Sequence, residues 1–112
     1  MYKYLFVAKH IHRDANGTIV EPKQYVFYIE ESNNHIKIYS GKLDGKKFII
    51  DNSKTFTGKS GYKYNGYRTY DIEHDRVVSF IKIGMNMETY WSRGYSGILN
   101  QDDYDGKLYQ IK

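Results

Sequence analysis

Hydrophobic and polar residues alternate along several stretches of the chain, and the alternation is clearest in residues 2–9 and 76–84. A period of two places successive side chains on opposite faces of a sheet, so both stretches are predicted to be β-strands. At the centres of several such stretches both faces are apolar. Strands of that kind leave little of a sheet in contact with water, which is typical of a barrel or a sandwich.

Turn signals divide the chain into short strands. Asn or Asp followed by Gly readily adopts the positive φ angles of hairpin turns, and four such pairs occur: Asn16-Gly17, Asp44-Gly45, Asn65-Gly66 and Asp105-Gly106. Further turns are predicted at Asn33-Asn34 and Glu73-His74-Asp75, a loop over residues 96–105, and a strand entrance at Pro22. The predicted strands lie near residues 2–9, 18–20, 24–31, 35–41, 46–51, 62–64, 67–72, 76–84, 87–92 and 107–111. Consecutive strands are expected to pair as a meander.

The composition agrees with a β-protein. Among 112 residues there are 13 tyrosines, and aromatic residues make up 17% of the chain, whereas Ala occurs only at Ala8 and Ala15. Tyrosine is enriched in strands, and a helical bundle would need more Ala and Leu. We therefore predict a single all-β domain over residues 1–112, an antiparallel meander that closes into a small barrel or a two-layer sandwich with little or no helix.

The chain contains no cysteine, which excludes disulfides, thiol nucleophiles and cysteine-ligated zinc. The apolar run at the N-terminus is broken at Lys9 and is too short for a signal-peptide core or a membrane span. These features predict a cytoplasmic protein without membrane contact. No cofactor is expected, and the oligomeric state is left open.

Two segments combine aromatic side chains with Ser, Gly and Arg: the first Tyr-rich segment, residues 58–70, and the second Tyr-rich segment, residues 88–97. Antibody-like binding surfaces have this composition, and Trp, Tyr and Arg dominate interface hot spots. The segments favour a protein partner, contacted by Tyr62, Lys63, Tyr64, Tyr67, Arg68, Tyr70, Tyr90, Trp91, Arg93 and Tyr95. The structural alternative is that the tyrosines cover a sheet and that Trp91 anchors the core.

The middle of the chain is basic, because residues 37–70 hold eight Lys or Arg and two Asp, out of a net charge of +4 for the whole chain. Cations interleaved with tyrosines could meet phosphates while the rings stack on bases. The alternative function is therefore single-stranded nucleic-acid binding by residues 37–70, with phosphate contacts from Lys46, Lys47, Lys59, Lys63 and Arg68.

The segment His10-Ile11-His12-Arg13-Asp14 offers two imidazoles and a carboxylate on one face of a strand. Over these five residues it resembles the HxHxD opening of the metallo-β-lactamase family, although Ala15 stands where that family has a further His. The resemblance implies a metal-dependent hydrolase using His10, His12 and Asp14, with a fourth ligand from His35 or His74. A solvated strand end before the Asn16-Gly17 turn is the alternative interpretation of the segment.

No motif identifies a nucleophile with its base, so the protein is predicted not to be an enzyme. The leading hypothesis is a non-enzymatic macromolecule-binding protein that recognises a protein partner through the two Tyr-rich segments. By analogy, such a domain fits an inhibitor of a host enzyme or defence system encoded by a phage or mobile element. The nucleic-acid-binding barrel and the hydrolase are the alternatives.

Overall fold

The computed structural model describes residues 1–33, 35–45, 47–57, 59–60, 65–71, 76–84, 86–93 and 101–111; the side chains of residues 43, 59–60, 65, 68–71, 76–77 and 90–93 are not among those described. Nine strands make up most of this part of the chain: β1 (Tyr2–Asp14), β2 (Gly17–Glu31), β3 (His35–Asp44), β4 (Lys47–Thr57), β5 (Lys59–Ser60), β6 (Asn65–Asp71), β7 (Arg76–Ile83), β8 (Asn86–Arg93) and β9 (Gln101–Ile111). The described residues contain no helix.

All nine strands belong to one antiparallel sheet with the order β4-β3-β2-β1-β9-β8-β7-β6-β5. Most neighbours in the sheet are also neighbours in sequence, as predicted for a meander, but β1 pairs with β9 and so joins the two ends of the chain in the middle of the sheet. The sheet curls into a half-barrel whose edges are β4 and β5. The predicted all-β antiparallel class is confirmed.

The core lies on the concave face, where the two-residue period of the strands collects the apolar side chains. The buried apolar residues are Tyr4, Phe6, Ala8, Phe27, Ile29, Ile36, Phe56, Tyr67, Val78, Phe80, Met87 and Leu108. No ladder joins β4 to β5 within the described ranges, yet Phe56 of β4 stacks on Phe80 of β7 with ring centroids 6.5 Å apart. Side-chain packing therefore closes the seam, and each fully buried Phe contributes about 1.5–3 kcal/mol.

A buried ion pair lies at the end of the half-barrel where β2 ends and β3 begins. Glu31 is 7% exposed, and its Oε1 accepts a hydrogen bond from Lys82 Nζ at 3.0 Å. The hydroxyl of Tyr67 donates to Glu31 Oε2 at 3.1 Å, and that of Tyr4 donates to Oε1 at 3.4 Å. Because the carboxylate has a cation and two hydroxyls, it tolerates a position beside the core.

Two of the four predicted hairpin turns are wrong. Asp105 and Gly106 lie inside β9, where Gly106 is opposite Ala8 of β1, and β9 begins at Gln101, inside the predicted loop. A Cβ on Gly106 would overlap the Val7 carbonyl oxygen and lie 2.6 Å from Ala8 Cα. The glycine is therefore needed for close strand approach and not for a turn.

The other wrong turn is Asn65-Gly66, which forms the first two residues of β6 and pairs with β7. The hairpins around Asn16-Gly17 and Asp44-Gly45 are confirmed, with φ of 128° at Gly17 and 63° at Gly45. The predicted strand 62–64 and turn 73–75 lie outside the described residues.

A further correction concerns β2, which is continuous where two strands were predicted. The ladder to β1 shifts between Lys9–Gln24 and Ile11–Val20, so three residues of β2, among them Pro22, oppose His10. This bulge accommodates the proline because a bulged residue needs no ladder hydrogen bond.

Candidate functional site

The concave face continues beyond the core as a row of polar residues on β1 and β9. The regular alternation of β1 places His10, His12 and Asp14 on the same face as Phe6 and Ala8. The register with β9 sets Tyr104 opposite His10 and Asp102 opposite His12. Two imidazoles and two carboxylates are therefore brought together at one end of the half-barrel.

The β2 bulge adds a third carboxylate, Glu21, to this row. His10 Nδ1 lies 3.0 Å from Glu21 Oε1, and His10 Nε2 lies 2.9 Å from Asp102 Oδ1. His12 Nδ1 lies 2.8 Å from the same Asp102 oxygen, and His12 Nε2 lies 3.2 Å from Asp14 Oδ2. We refer to His10, His12, Asp14, Glu21 and Asp102 as the His–carboxylate cluster.

The hydrogen bonds of the cluster favour charged groups. A neutral imidazole has one N–H, whereas each ring here faces a carboxylate oxygen at both nitrogens, so only imidazolium donates to both. The hydrogen bond to Asp102 raises the pKa of His12, against the opposing effect of burial. Burial acts to raise the pKa of Asp102, but the hydrogen bonds from His12 and His10 outweigh it and leave that pKa below its ordinary value.

Glu21 accepts hydrogen bonds from Tyr25 as well as from His10. The Tyr25 hydroxyl donates to Glu21 Oε2 at 2.5 Å. This hydrogen bond, followed by that from His10, lowers the pKa of Glu21. Tyr25 also packs edge-on against the rings of His10 and Tyr104, so the side chains next to the bulge are fixed by packing as well as by hydrogen bonds.

The cluster does not have the arrangement of a metal site. No group of three or more His, Asp or Glu side chains in the described part of the chain could hold a metal ion. The ring nitrogens point at carboxylate oxygens and not at a common empty position. His35 begins β3 at the opposite end of the sheet, and His74 lies outside the described residues. The hydrolase hypothesis gains no support from this geometry and stays untested.

A cavity of about 320 Å³ opens on the concave face beside the cluster. Its apolar lining consists of Phe6, Phe27, Ile38 and Phe56. Its polar lining consists of His10, Ser40, Asn52, Ser53, Lys54, Thr89, Asp102 and Tyr104. The cavity thus combines an aromatic floor with polar side chains of several kinds around it.

The wall formed by β1 and β9 is held in place by aromatic packing. The ring of Tyr104 stacks on His10 with centroids 4.9 Å apart and packs edge-on against Phe27 at 5.1 Å. Such contacts contribute about 0.5–1.5 kcal/mol each beyond area burial. The wall is therefore formed before any ligand arrives.

A second depression, at the opposite end, is lined by Met1, Tyr2, Tyr4, Glu31, Ser32, Asn33, Tyr67 and Lys82. The hydroxyls of Tyr4 and Tyr67 and the ammonium of Lys82 are hydrogen-bonded around Glu31. A network that satisfies itself in this way offers a ligand little, so the concave cavity is the stronger candidate site.

The Tyr-rich segments are only partly described. Tyr67 is 2% exposed with its hydroxyl on Glu31, so this ring cannot contact a partner without leaving the core. Burial, together with the charge of Glu31, raises the pKa of Tyr67 to about 12. Arg68 and Tyr70 lie on β6, and Tyr90, Trp91 and Arg93 lie on β8; only the backbone of these five residues is described. Tyr62, Lys63, Tyr64 and Tyr95 lie outside the described residues. The remaining partner-binding residues stay a prediction.

The proposed phosphate-binding residues are likewise little constrained. Lys47 is exposed at the start of β4, and Lys59 lies on β5, where only its backbone is described. Lys46 and Lys63 lie outside the described residues. The nucleic-acid alternative therefore stays a prediction.

Sequence reasoning missed two of the five cluster residues, Glu21 and Asp102, and the neighbouring Tyr104. Asp102 and Tyr104 were expected in a loop, and Glu21 carried no motif. The alternation of Asp102, Tyr104 and Leu108 in one strand was the available signal. Nothing local indicated that this strand pairs with β1.

No protein-family model matches the chain, and no curated protein or solved structure matches it significantly. In the part of the chain that the structure describes, no helix is long and apolar enough to cross a membrane.

Proposed function

We propose that the protein is a binding protein that takes up a small amphipathic molecule in the concave cavity. The observation that carries the proposal is the cavity itself, with three phenylalanines at its floor and a fixed His10–Asp102–Tyr104 wall. Ligand sites are typically concave and largely apolar, with a few placed polar groups that set orientation. The volume of about 320 Å³ fits a ligand of roughly ten to fifteen non-hydrogen atoms, since a water molecule occupies about 30 Å³ in the liquid.

The half-barrel suits this function because hydrogen-bonded strands supply every lining residue in the described part of the chain. Phe6 and Phe27 form the floor from β1 and β2, while Ser40 and Asn52 approach from β3 and β4. Side chains held on paired strands lose little freedom when a ligand binds, which lowers the cost of association. The cavity needs no large rearrangement before it can accept a ligand.

The test is an NMR titration with 2-phenylethanol, whose ring fits the aromatic floor. A Kd near 1 mM corresponds to about 4.1 kcal/mol, or about 0.5 kcal/mol per non-hydrogen atom, which is within the range of small ligands. Replacing Ser40 by Phe should fill the cavity and abolish binding. Thr55→Phe, on the exposed face of β4, is the matched control and should bind as the native protein does. Equal binding by both variants contradicts the proposal.

A second candidate is the predicted protein partner, and one observation favours it. The β2–β3 ladder ends at Phe27–Ser40, but the β3–β4 hairpin continues to Asp44–Lys47. On this outer arm Ile49 is 40% exposed and Ile50 is 53% exposed. Exposed apolar pairs next to polar residues are typical of interaction surfaces. Inhibition of a host enzyme or defence system, by a protein that stays in the cytoplasm, is the narrower form of this candidate.

The second candidate is tested by capture from a host lysate, with the native protein, an Ile49→Ser, Ile50→Ser variant and a Trp91→Ala variant compared. A specific protein that either variant fails to capture, while the variant remains folded, supports it. Capture of nucleic acid, with an affinity that falls steeply as salt rises, would instead favour the nucleic-acid alternative. Equal capture by all three proteins removes both surfaces from consideration.

A further inference from the structure

The charges around the concave cavity are distributed unequally, and this has consequences for the ligand that rest on the proposed function. Asp102 is the one carboxylate among the described lining residues, and its side chain is 30% exposed. Lys54, which also lines the cavity, already has an interaction partner. The acidic group is therefore the better-placed charge for a ligand.

Asp102 also has an unused acceptor. Both imidazoles approach its Oδ1, His10 at 2.9 Å and His12 at 2.8 Å, whereas Oδ2 makes no hydrogen bond with the described part of the chain. An ionised carboxylate has about four acceptor positions on its two oxygens. One oxygen is thus held in place by the protein, and the other is left to bind a donor.

The surroundings of Asp102 favour a cation as that donor. The His–carboxylate cluster contains three carboxylates, Asp14, Glu21 and Asp102, and two imidazoles. With its carboxylates ionised the cluster carries −3 when both rings are neutral and −1 when both are protonated. The cluster itself is therefore negative in either case, and a positive ligand group placed next to it gains from charge complementarity.

We propose that the cavity selects small molecules that carry a protonated amine, with the ammonium group bound to Asp102 Oδ2 and the apolar part lying on Phe6, Phe27 and Phe56. The ammonium donates one hydrogen bond to Oδ2 and keeps its other N–H groups for the polar lining or water. The stacked pair of His10 and Tyr104 lines the cavity beside Asp102.

The affinity for an amine should depend on pH, because His12 hydrogen-bonds to the same carboxylate that binds the ammonium. A bound ammonium next to Asp102 disfavours a second cation on His12, whose ring faces Asp102 and Asp14. Binding should therefore release a proton where the His12 ring is charged. Amine affinity is expected to rise as pH increases from about 6 to 8, across the ordinary range of histidine titration.

The experiment uses three probes that share a phenylethyl group and differ at the polar end: 2-phenylethylammonium, 2-phenylethanol and 3-phenylpropionate. Titrations followed by NMR should give a Kd for the amine at least tenfold below that of the alcohol, and the carboxylate should bind most weakly. Asp102→Asn should bring the amine down to the affinity of the alcohol. Asp105→Asn, on the other face of β9, should leave the preference intact.

The outcomes separate this inference from the proposed function. If alcohol and amine bind the native protein equally, and Ser40→Phe abolishes both, the cavity is a ligand site and the amine preference is refuted. If none of the three probes binds, both the proposed function and this inference fail. Should Asp102→Asn not fold, the comparison of the three probes on the native protein still decides the matter, and loss of the amine preference at high salt would support a charge interaction.

Discussion

The buried ion pair between Glu31 and Lys82 provides the sharpest stability prediction, through the substitution Lys82→Met. The change keeps the apolar stem and removes the charge that lies 3.0 Å from Glu31 Oε1. Burial acts to lower the pKa of Lys82, but the hydrogen bond to Glu31 and the carboxylate charge outweigh it and raise that pKa, so the lysine is charged in the native protein. Without it, a carboxylate that is 7% exposed loses the cation that lies 3.0 Å away.

The expected loss can be worked from these contacts. Removing one partner of a fully buried pair costs about 3–5 kcal/mol. The value should be smaller here, because the lysine side chain is 21% exposed and Tyr4 and Tyr67 keep their hydrogen bonds to Glu31. We expect a loss of about 2–3 kcal/mol, against a total stability of about 5–15 kcal/mol for a domain.

The assay is urea unfolding followed by far-UV circular dichroism. With a slope of about 1–2 kcal/mol per M urea, the midpoint should fall by roughly 1–3 M. The double variant Glu31→Gln, Lys82→Met should be more stable than Lys82→Met alone, because the unpaired charge has been removed. A loss below about 0.5 kcal/mol, or losses that simply add in the double variant, would refute the reasoning.

Three further predictions concern the strands and the titrating groups. Gly106→Ala should lower the free energy of unfolding by about 3 kcal/mol or more, because the new Cβ overlaps the Val7 carbonyl oxygen. Gly84→Ala meets open space but keeps a φ of 55°, and it should cost about 1–2 kcal/mol. Thermal unfolding of the two variants tests this difference. The pKa of Tyr67 is raised to about 12 in the folded protein, so its contribution to stability is complete below pH 10 and is lost between about pH 10 and 12. The free energy of unfolding should fall by about 2–3 kcal/mol over this range, and Tyr67→Phe should reduce the fall. An unchanged alkaline loss in that variant would contradict this. The pKa of His12 is raised in the folded protein, so its contribution to stability is present below about pH 6.5 and is lost as the pH rises through the folded-state pKa. Tm should therefore fall between about pH 6 and 8 in the native protein and should fall less in His12→Asn. Parallel curves of Tm against pH for the two proteins would refute the assignment.

The fold could be predicted from the sequence wherever the signal was local. The first part of β1 and the strand β7 follow from their alternation, and the hairpin turns near Gly17 and Gly45 follow from residues that tolerate positive φ. The pairing of β1 with β9 joins residues about a hundred positions apart, and no local pattern specifies such a contact. The same Asp-Gly chemistry that makes a turn at Gly45 sits inside a strand at Gly106, because close strand approach also selects glycine.

In the candidate site, too, local features could be predicted from the sequence and long-range contacts could not. The spacing of His10, His12 and Asp14 placed them correctly on one face, since strand alternation is a local property. Their partners Glu21 and Asp102 come from a bulge and from a distant strand, so they could not be identified before the register was known. The contact of Tyr67 with Glu31 is also long-range, whereas the composition of the first Tyr-rich segment alone suggested that Tyr67 lies on the surface.

The central claim is that a ligand lies on the aromatic floor of the half-barrel. It is tested most directly by intermolecular nuclear Overhauser effects between 2-phenylethylammonium and the protein. We predict effects from the probe's ring protons to Phe27, Phe56 and the methyl groups of Ile38, all of which line the cavity. Effects confined to the exposed Ile49 and Ile50 of the β3–β4 hairpin, with none to the cavity lining, would contradict the account.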